Sequence, residues 1–145
     1  MIEEWIKRIC GLTGIEGCMI FLSTGEILEQ SGLDRYLSAL PDIAKRLLRI
    51  ITASRRMKSK VYELEVVWQS KRLIGVADDL LVILTFCRND ASFPLLRMTL
   101  NVALAAIHDN KKNQKIFKKA RGIRIDHLRH GDLDQSEINF ISKLQ

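Results

Sequence analysis

Ile2, Trp5, Ile6 and Ile9 fall at i, i+3, i+4 and i+7, which predicts a first amphipathic helix with Glu3, Glu4, Lys7 and Arg8 outside its apolar stripe. Gly11 and Gly14 end it. Over residues 17–23 both alternating sets are apolar, Cys18, Ile20 and Leu22 on one side and Met19 and Phe21 on the other, as in a strand covered on both faces. Thr24 and Gly25 turn the chain into a second strand near 26–30. Tyr36, Leu37, Leu40, Ala44, Leu47, Leu48 and Ile51 then repeat at helical spacing, predicting a long second helix that runs to about Arg55. Pro41 lies within this stretch and either kinks the helix or marks its first turn.

Residues 58–68 alternate, with Tyr62, Leu64, Val66 and Trp68 on one side and Val61, Glu63, Glu65 and Val67 on the other, the pattern of a half-exposed antiparallel strand. Residues 72–77 make a fourth strand, Asp78 and Asp79 a turn, and the near-continuous apolar run 80–87 a central fifth strand. Ser92 and Pro94 open a third helix with Leu96, Leu100, Ala103 and Ile107 on one side. Its other side carries Leu95, Met98, Val102 and Ala106, so the helix is expected to be covered twice, by the sheet and by something else. Near the end, Asp134 and Glu137 have capping-box spacing ahead of Ile138, Ile141 and Leu144, which predicts a short amphipathic helix. The order α-β-β-α-β-β-β-α, with neighbouring strands joined by short turns, gives an α+β domain with an antiparallel sheet and a helical appendage.

The charge is unevenly placed. Residues 1–110 carry 14 Lys and Arg against 13 Asp and Glu, whereas residues 111–145 carry 9 against 4. A neutral body of 1–110 and a basic extension of 111–145 are therefore expected within the 145 residues, a length suited to one core. No apolar run approaches the roughly 20 residues of a bilayer span, and Glu3, Glu4, Lys7 and Arg8 interrupt any secretory h-region, so a cytoplasmic protein is expected. Cys10, Cys18 and Cys87 form an odd set without a C-x-x-C pair and read as reduced packing residues.

Ile15-Glu16-Gly17 leading into the first strand, the Ser23-Thr24-Gly25-Glu26-Ile27 turn, Gly75 ahead of the acidic turn and aliphatic fifth strand, and Leu96-Arg97 in the third helix resemble the roadblock family of dynein light chains over about residues 1–109. The resemblance rests on the order and spacing of these segments. It implies a profilin-like fold, a five-stranded antiparallel sheet with helices on both faces. It also implies homodimers in which the third strands pair edge to edge and the second helices pack side by side. Family members are scaffolds or regulators of Ras-like GTPases, or cargo adaptors, without catalytic residues or cofactors of their own.

The alternating third strand meets this expectation from another direction, because a long strand at a sheet edge invites pairing, and a two-fold axis makes that contact self-complementary. Tyr62, Leu64, Val66 and Trp68, with Leu47 and Ile51 of the second helix, are the expected dimer contacts. In the extension, Lys115, Lys118, Lys119 and Arg121, with Ile138 and Ile141, are expected to bind a partner. The same cations could neutralise phosphates, making a nucleic-acid-binding module the competing class, although Phe117 is the only aromatic in the run.

Enzyme-like readings are weaker. His127 and His130, with Asp126 and Asp132, have a spacing that can ligate zinc, but they lack a Cys and lie in a Gly-bracketed basic segment, so no metal is expected. The cysteines occupy apolar-periodic positions with no base or orienting group in view. Gly11, Gly14 and Gly17 follow a helix and enter a strand, the reverse of a phosphate loop.

Overall fold

A computed structural model of the chain describes residues 1–56, 62–68, 71–123 and 127–128. The elements are α1 (Ile2–Cys10), β1 (Ile15–Leu22), β2 (Ile27–Ser31), a 3-10 turn (Asp34–Tyr36), α2 (Leu40–Arg56), β3 (Glu63–Trp68), β4 (Lys71–Ala77), β5 (Leu81–Cys87), α3 (Phe93–Asp109), a second 3-10 turn (Lys111–Asn113) and α4 (Gln114–Arg121). The five strands form one antiparallel sheet in the order β2-β1-β5-β4-β3. This is the α+β class and strand count expected from the sequence.

The sheet divides two cores. Cys18, Ile20 and Leu22 of β1 join Ile74, Val76, Leu81 and Ile83 beneath α1 and α3. Met19 and Phe21 point the other way and join Leu73, Val82, Leu84 and Phe86 beneath α2. Strands apolar on both sides can lie only where both faces are covered, which is why β1 and β5 are interior and β3, with its glutamates, lies at an edge. Pro41 proves to be in the first turn of α2, where a missing amide proton costs no helical hydrogen bond.

Two expectations change. The helix α3 buries Leu96, Leu100, Ala103 and Ile107, but Leu95, Met98 and Val102 are exposed, so nothing among the described residues supplies the second cover. The charge changes at Asn110, yet the packing does not. Phe117 and Ala120 of α4 are buried in the same core as α1 and α3. Asn110 helps start this addition by accepting a hydrogen bond from the Lys112 amide (2.8 Å), and buried Asn113 donates to the Ile107 carbonyl (3.0 Å).

Candidate partner-binding site

The third strand has β4 on one side and no described strand on the other. Alternation sends Leu64 and Val66 toward the α2 core, while Glu63 and Glu65 lie on the α3 side. There Glu65 pairs with Arg72 (3.2 Å) and Arg97 (3.7 Å), and Asn101 donates to Glu63 (2.9 Å). These exposed pairs contribute little stability singly, about 0–1 kcal/mol, but three contacts along one strand set its register against α3. The edge is thus held in place, and among the described residues no strand pairs with its outer rim.

The predicted contact residues separate. Tyr62 is 58% exposed and Val66 half-buried, both available at the rim. Leu47, Ile51 and Leu64 are only 3%, 2% and 4% exposed, because the apolar stripe of α2 is used against its own sheet. Those three hold the protomer together and have almost no surface left to offer a second chain. Trp68 pairs through its backbone with Lys71, and its side chain lies outside the described residues. Val67, which sequence reading left aside, is 76% exposed. Its signal was its place among glutamates on the polar side of the alternation.

The other side of α2 is strongly basic. Lys45, Arg46, Arg49 and Arg56 stand there with one acid, Asp42, which pairs with Arg46 at 3.1 Å, whereas Arg55 reaches the β4–β5 turn, donating to the Asp78 carbonyl (3.0 Å) and pairing with Asp79 (3.6 Å). On the opposite face of the molecule, α4 turns Lys115, Lys118, Lys119 and Arg121 to solvent around its buried Phe117. Ile138 and Ile141 lie outside the described residues.

At the end of the sheet, the β1–β2 and β4–β5 turns and the C-terminal end of α2 border a cleft of about 440 Å³, lined in part by Ser23, Thr24, Thr52, Arg55, Asp78 and His127. Asp78 organises its floor. One carboxylate oxygen accepts from the Leu80 and Leu81 amides, both at 2.8 Å, and the other lies 2.7 Å from His108 Nδ1. His108 also stacks on Phe117, so this His–Asp pair ties a turn to α3 and α4, a structural arrangement. Among the described residues no three His, Cys, Asp or Glu side chains converge as a metal site, and His130, Asp126 and Asp132 lie outside them. Instead, His127 donates from Nε2 to the Ser23 carbonyl at 2.7 Å.

The thiols are chemically quiet. Burial pushes Cys18 well above the usual thiol range, and burial likewise raises Cys10 and Cys87. A raised thiol keeps its proton longer in the folded chain than in the unfolded one. The associated stability is therefore complete below about pH 8.5, where unfolded thiols begin to ionise, and is lost as pH climbs through the folded values. The urea midpoint is expected to fall above that pH, and less steeply for Cys18→Ala. Identical pH slopes for wild type and variant would show that Cys18 carries no such linkage.

No family model matches the chain, and none of the curated proteins compared with it does. Solved structures do. MglB of Myxococcus xanthus superposes with a TM-score of 0.64 at 12% identity, covering 86% of this chain and 91% of that one. The roadblock/LC7 domain of Streptomyces avermitilis superposes with a TM-score of 0.58 at 12% identity, covering 73% and 90%. This chain has the roadblock fold. The gliding protein MglB of Thermus thermophilus agrees, with a TM-score of 0.62 at 12% identity over 81% and 89%. At such identity the roadblock likeness carries the arrangement of elements, and function has to be argued from the surfaces. No described helix is long and apolar enough to cross a membrane.

Proposed function

We propose that the chain is a cytoplasmic, non-catalytic homodimeric adaptor or regulator that binds a small Ras-like GTPase, or a related signalling or motor protein, across its dimer surface. The observation that carries this reading is the open β3 edge beside α2, on the fold for which the resemblance implies edge-to-edge dimers. Pairing two β3 strands would continue the sheet across a two-fold axis and remove an exposed edge. Among the similar structures is an MglB with a tetrameric arrangement, which supports self-association as a property of this fold. The contacts proposed for the dimer are Tyr62, Val66 and Val67, with the polar side of α2 alongside.

Sedimentation equilibrium tests this. The wild-type chain is expected to be dimeric, and Val67→Asp, which costs the protomer little because the side chain is 76% exposed, should place like charges at the shared edge. A rise of about a hundredfold in Kd is expected, or about 2.7 kcal/mol. A wild-type chain that stays monomeric at about tens of micromolar would end the shared-sheet reading, since a stable dimer has a Kd in the micromolar range or below. A Ras-like GTPase in its two nucleotide states is then the partner to titrate.

The exposed cations of α4 favour one second reading, a nucleic-acid-binding surface. Lys115→Glu with Lys118→Glu should then weaken binding to an unspecific duplex and flatten its salt dependence by about two counterions. No binding by the wild type at low salt would remove this reading.

A further inference from the structure

The outer side of α3 is apolar and has no cover among the described residues. Leu96, Leu100, Ala103 and Ile107 face the sheet, so Leu95, Met98 and Val102, which alternate with them along the helix, face away from it and are 43%, 60% and 54% exposed. With exposed Ala105 they run about 15 Å along the helix, and from Met98 to Ile107 the helix carries no charged residue. One flank is occupied, since Arg97 and Asn101 turn to Glu65 and Glu63 of β3. The row is a ridge and not a pocket: neither the cleft at the end of the sheet nor the one between Glu16, Lys71 and Arg88 includes any of it. The opposite side of the sheet differs, for there Leu128 packs on Ile50 and Ala53 of α2 and Arg49 donates to the His127 carbonyl (2.8 Å).

Charge is added on the ridge's side of the sheet. The helix α4 packs through Phe117 and Ala120 into the core that holds α3, and its outer side, with the turn before it, exposes Lys111, Lys112, Lys115, Lys118, Lys119 and Arg121. Among the described residues no acid pairs with any of these six.

We propose that this side of the molecule docks on an anionic lipid surface, with Leu95, Met98 and Val102 entering the headgroup region and the α4 cations held by acidic headgroups. A bare apolar patch marks a docking site, and here its form and its surroundings favour a bilayer. A convex ridge needs a shaped recess in a folded partner, whereas a fluid bilayer conforms to it. Lysines act as point charges on any anionic layer, each raising partitioning about fivefold when close to it. Apolar contact or charge alone gives marginal attachment, and the two together give a lasting one. A nucleic acid would use the cations but not the ridge, and Phe117, the aromatic ring of α4, is buried and unable to stack on bases. A second copy is disfavoured because two faces of like charge would meet.

The dimer proposed above strengthens the fit without being needed for it. Edge-to-edge pairing of β3 has its two-fold axis perpendicular to the sheet, so both copies present α3 and α4 on one side and α2 on the other. Two docking faces then engage one bilayer, which raises the attachment beyond that of a single face.

Flotation of the full chain tests this, with vesicles of phosphatidylcholine alone and of phosphatidylcholine containing about 30% phosphatidylserine. Binding to the anionic vesicles only is the expected result, weakening as salt rises. Lys118→Gln with Lys119→Gln should lower the partition coefficient about twentyfold, and Met98→Ser with Val102→Ser about tenfold. All four side chains are exposed, so both variants should keep the wild-type urea midpoint. A wild-type chain that stays off anionic vesicles, or binding unchanged by either pair of substitutions, would overturn the proposal. So would a duplex bound in place of vesicles with Met98 and Val102 dispensable, which assigns the cations to nucleic acid. A lower oligomeric state of the Met98→Ser, Val102→Ser variant in sedimentation would also overturn it, because the ridge would then cover a second copy. A monomeric wild type that binds the vesicles would end the dimer reading and leave this inference standing.

Discussion

Phe117→Ala is expected to destabilise the chain by about 3–5 kcal/mol, the range for removing a fully buried aromatic ring and leaving a cavity. The ring is 0% exposed, lies in the core with Leu100, Ala103 and Ile107, and stacks on His108 at a centroid distance of 5.2 Å. Because α4 has only eight residues, it is too short to persist on propensity alone, and its docking depends on this ring with Ala120. Urea unfolding should show the loss, and hydrogen exchange should show lost protection across α4. Lys118→Ala, on the exposed side of the same helix, should change stability by no more than about 0.5 kcal/mol. A Phe117→Ala loss below about 1 kcal/mol would mean that the ring does not anchor α4. Cutting the chain at the charge boundary after Asn110 would remove the same ring, so that truncation cannot separate the extension's function from its packing.

Gly14→Ala should be comparably damaging, at about 3 kcal/mol or more, for a backbone reason. Gly14 has φ +84°, and a Cβ there would come within 2.5 Å of the Ala91 nitrogen and 2.6 Å of its Cα. These contacts join the α1–β1 connection to the β5–α3 connection, which the Arg88 amide also bridges by donating to the Gly14 carbonyl (2.7 Å). Neither connection can yield alone without displacing a helix from the sheet. Thermal unfolding is the direct check. Gly11→Ala is the control, since Gly11 has φ −76° and an added Cβ there would meet only the carbonyl oxygens of the preceding helical turn, Lys7 at 3.3 Å and Arg8 at 3.5 Å. Equal stability of the two variants would refute the close approach at Gly14.

Much of the fold was readable because apolar residues follow the period of their elements. Doubly apolar β1 and β5 had to be interior and alternating β3 had to be half-exposed, whereas Pro41 left a kink or a first turn open until the structure placed it at the start of α2. The miss at α4 has a specific cause. Its lysines dominate the composition, while its core contact consists of Phe117 and Ala120 with half-buried Ile116, too few positions to show as a repeat. That spacing of i, i+1 and i+4 was the available signal.

The residues predicted for a dimer contact show the same limit in another form. Periodicity assigns Leu47 and Ile51 to an apolar stripe but cannot say which surface the stripe meets. In the folded chain the stripe meets the sheet, which leaves Tyr62, Val66 and Val67 at the rim.

The sequence by itself determined the α+β class, the five strands and the two-sided burial of the sheet's centre, because a one-dimensional alternation of apolar and polar residues specifies local period and the number of covered faces. Only the tertiary structure decided that the basic helix belongs to the core, that the predicted interface leucines are internal, and that His127 and Leu128 cross to α2. Those outcomes depend on contacts between residues far apart in the chain, where the competition among several apolar surfaces for the same partner is settled by geometry and not by pattern.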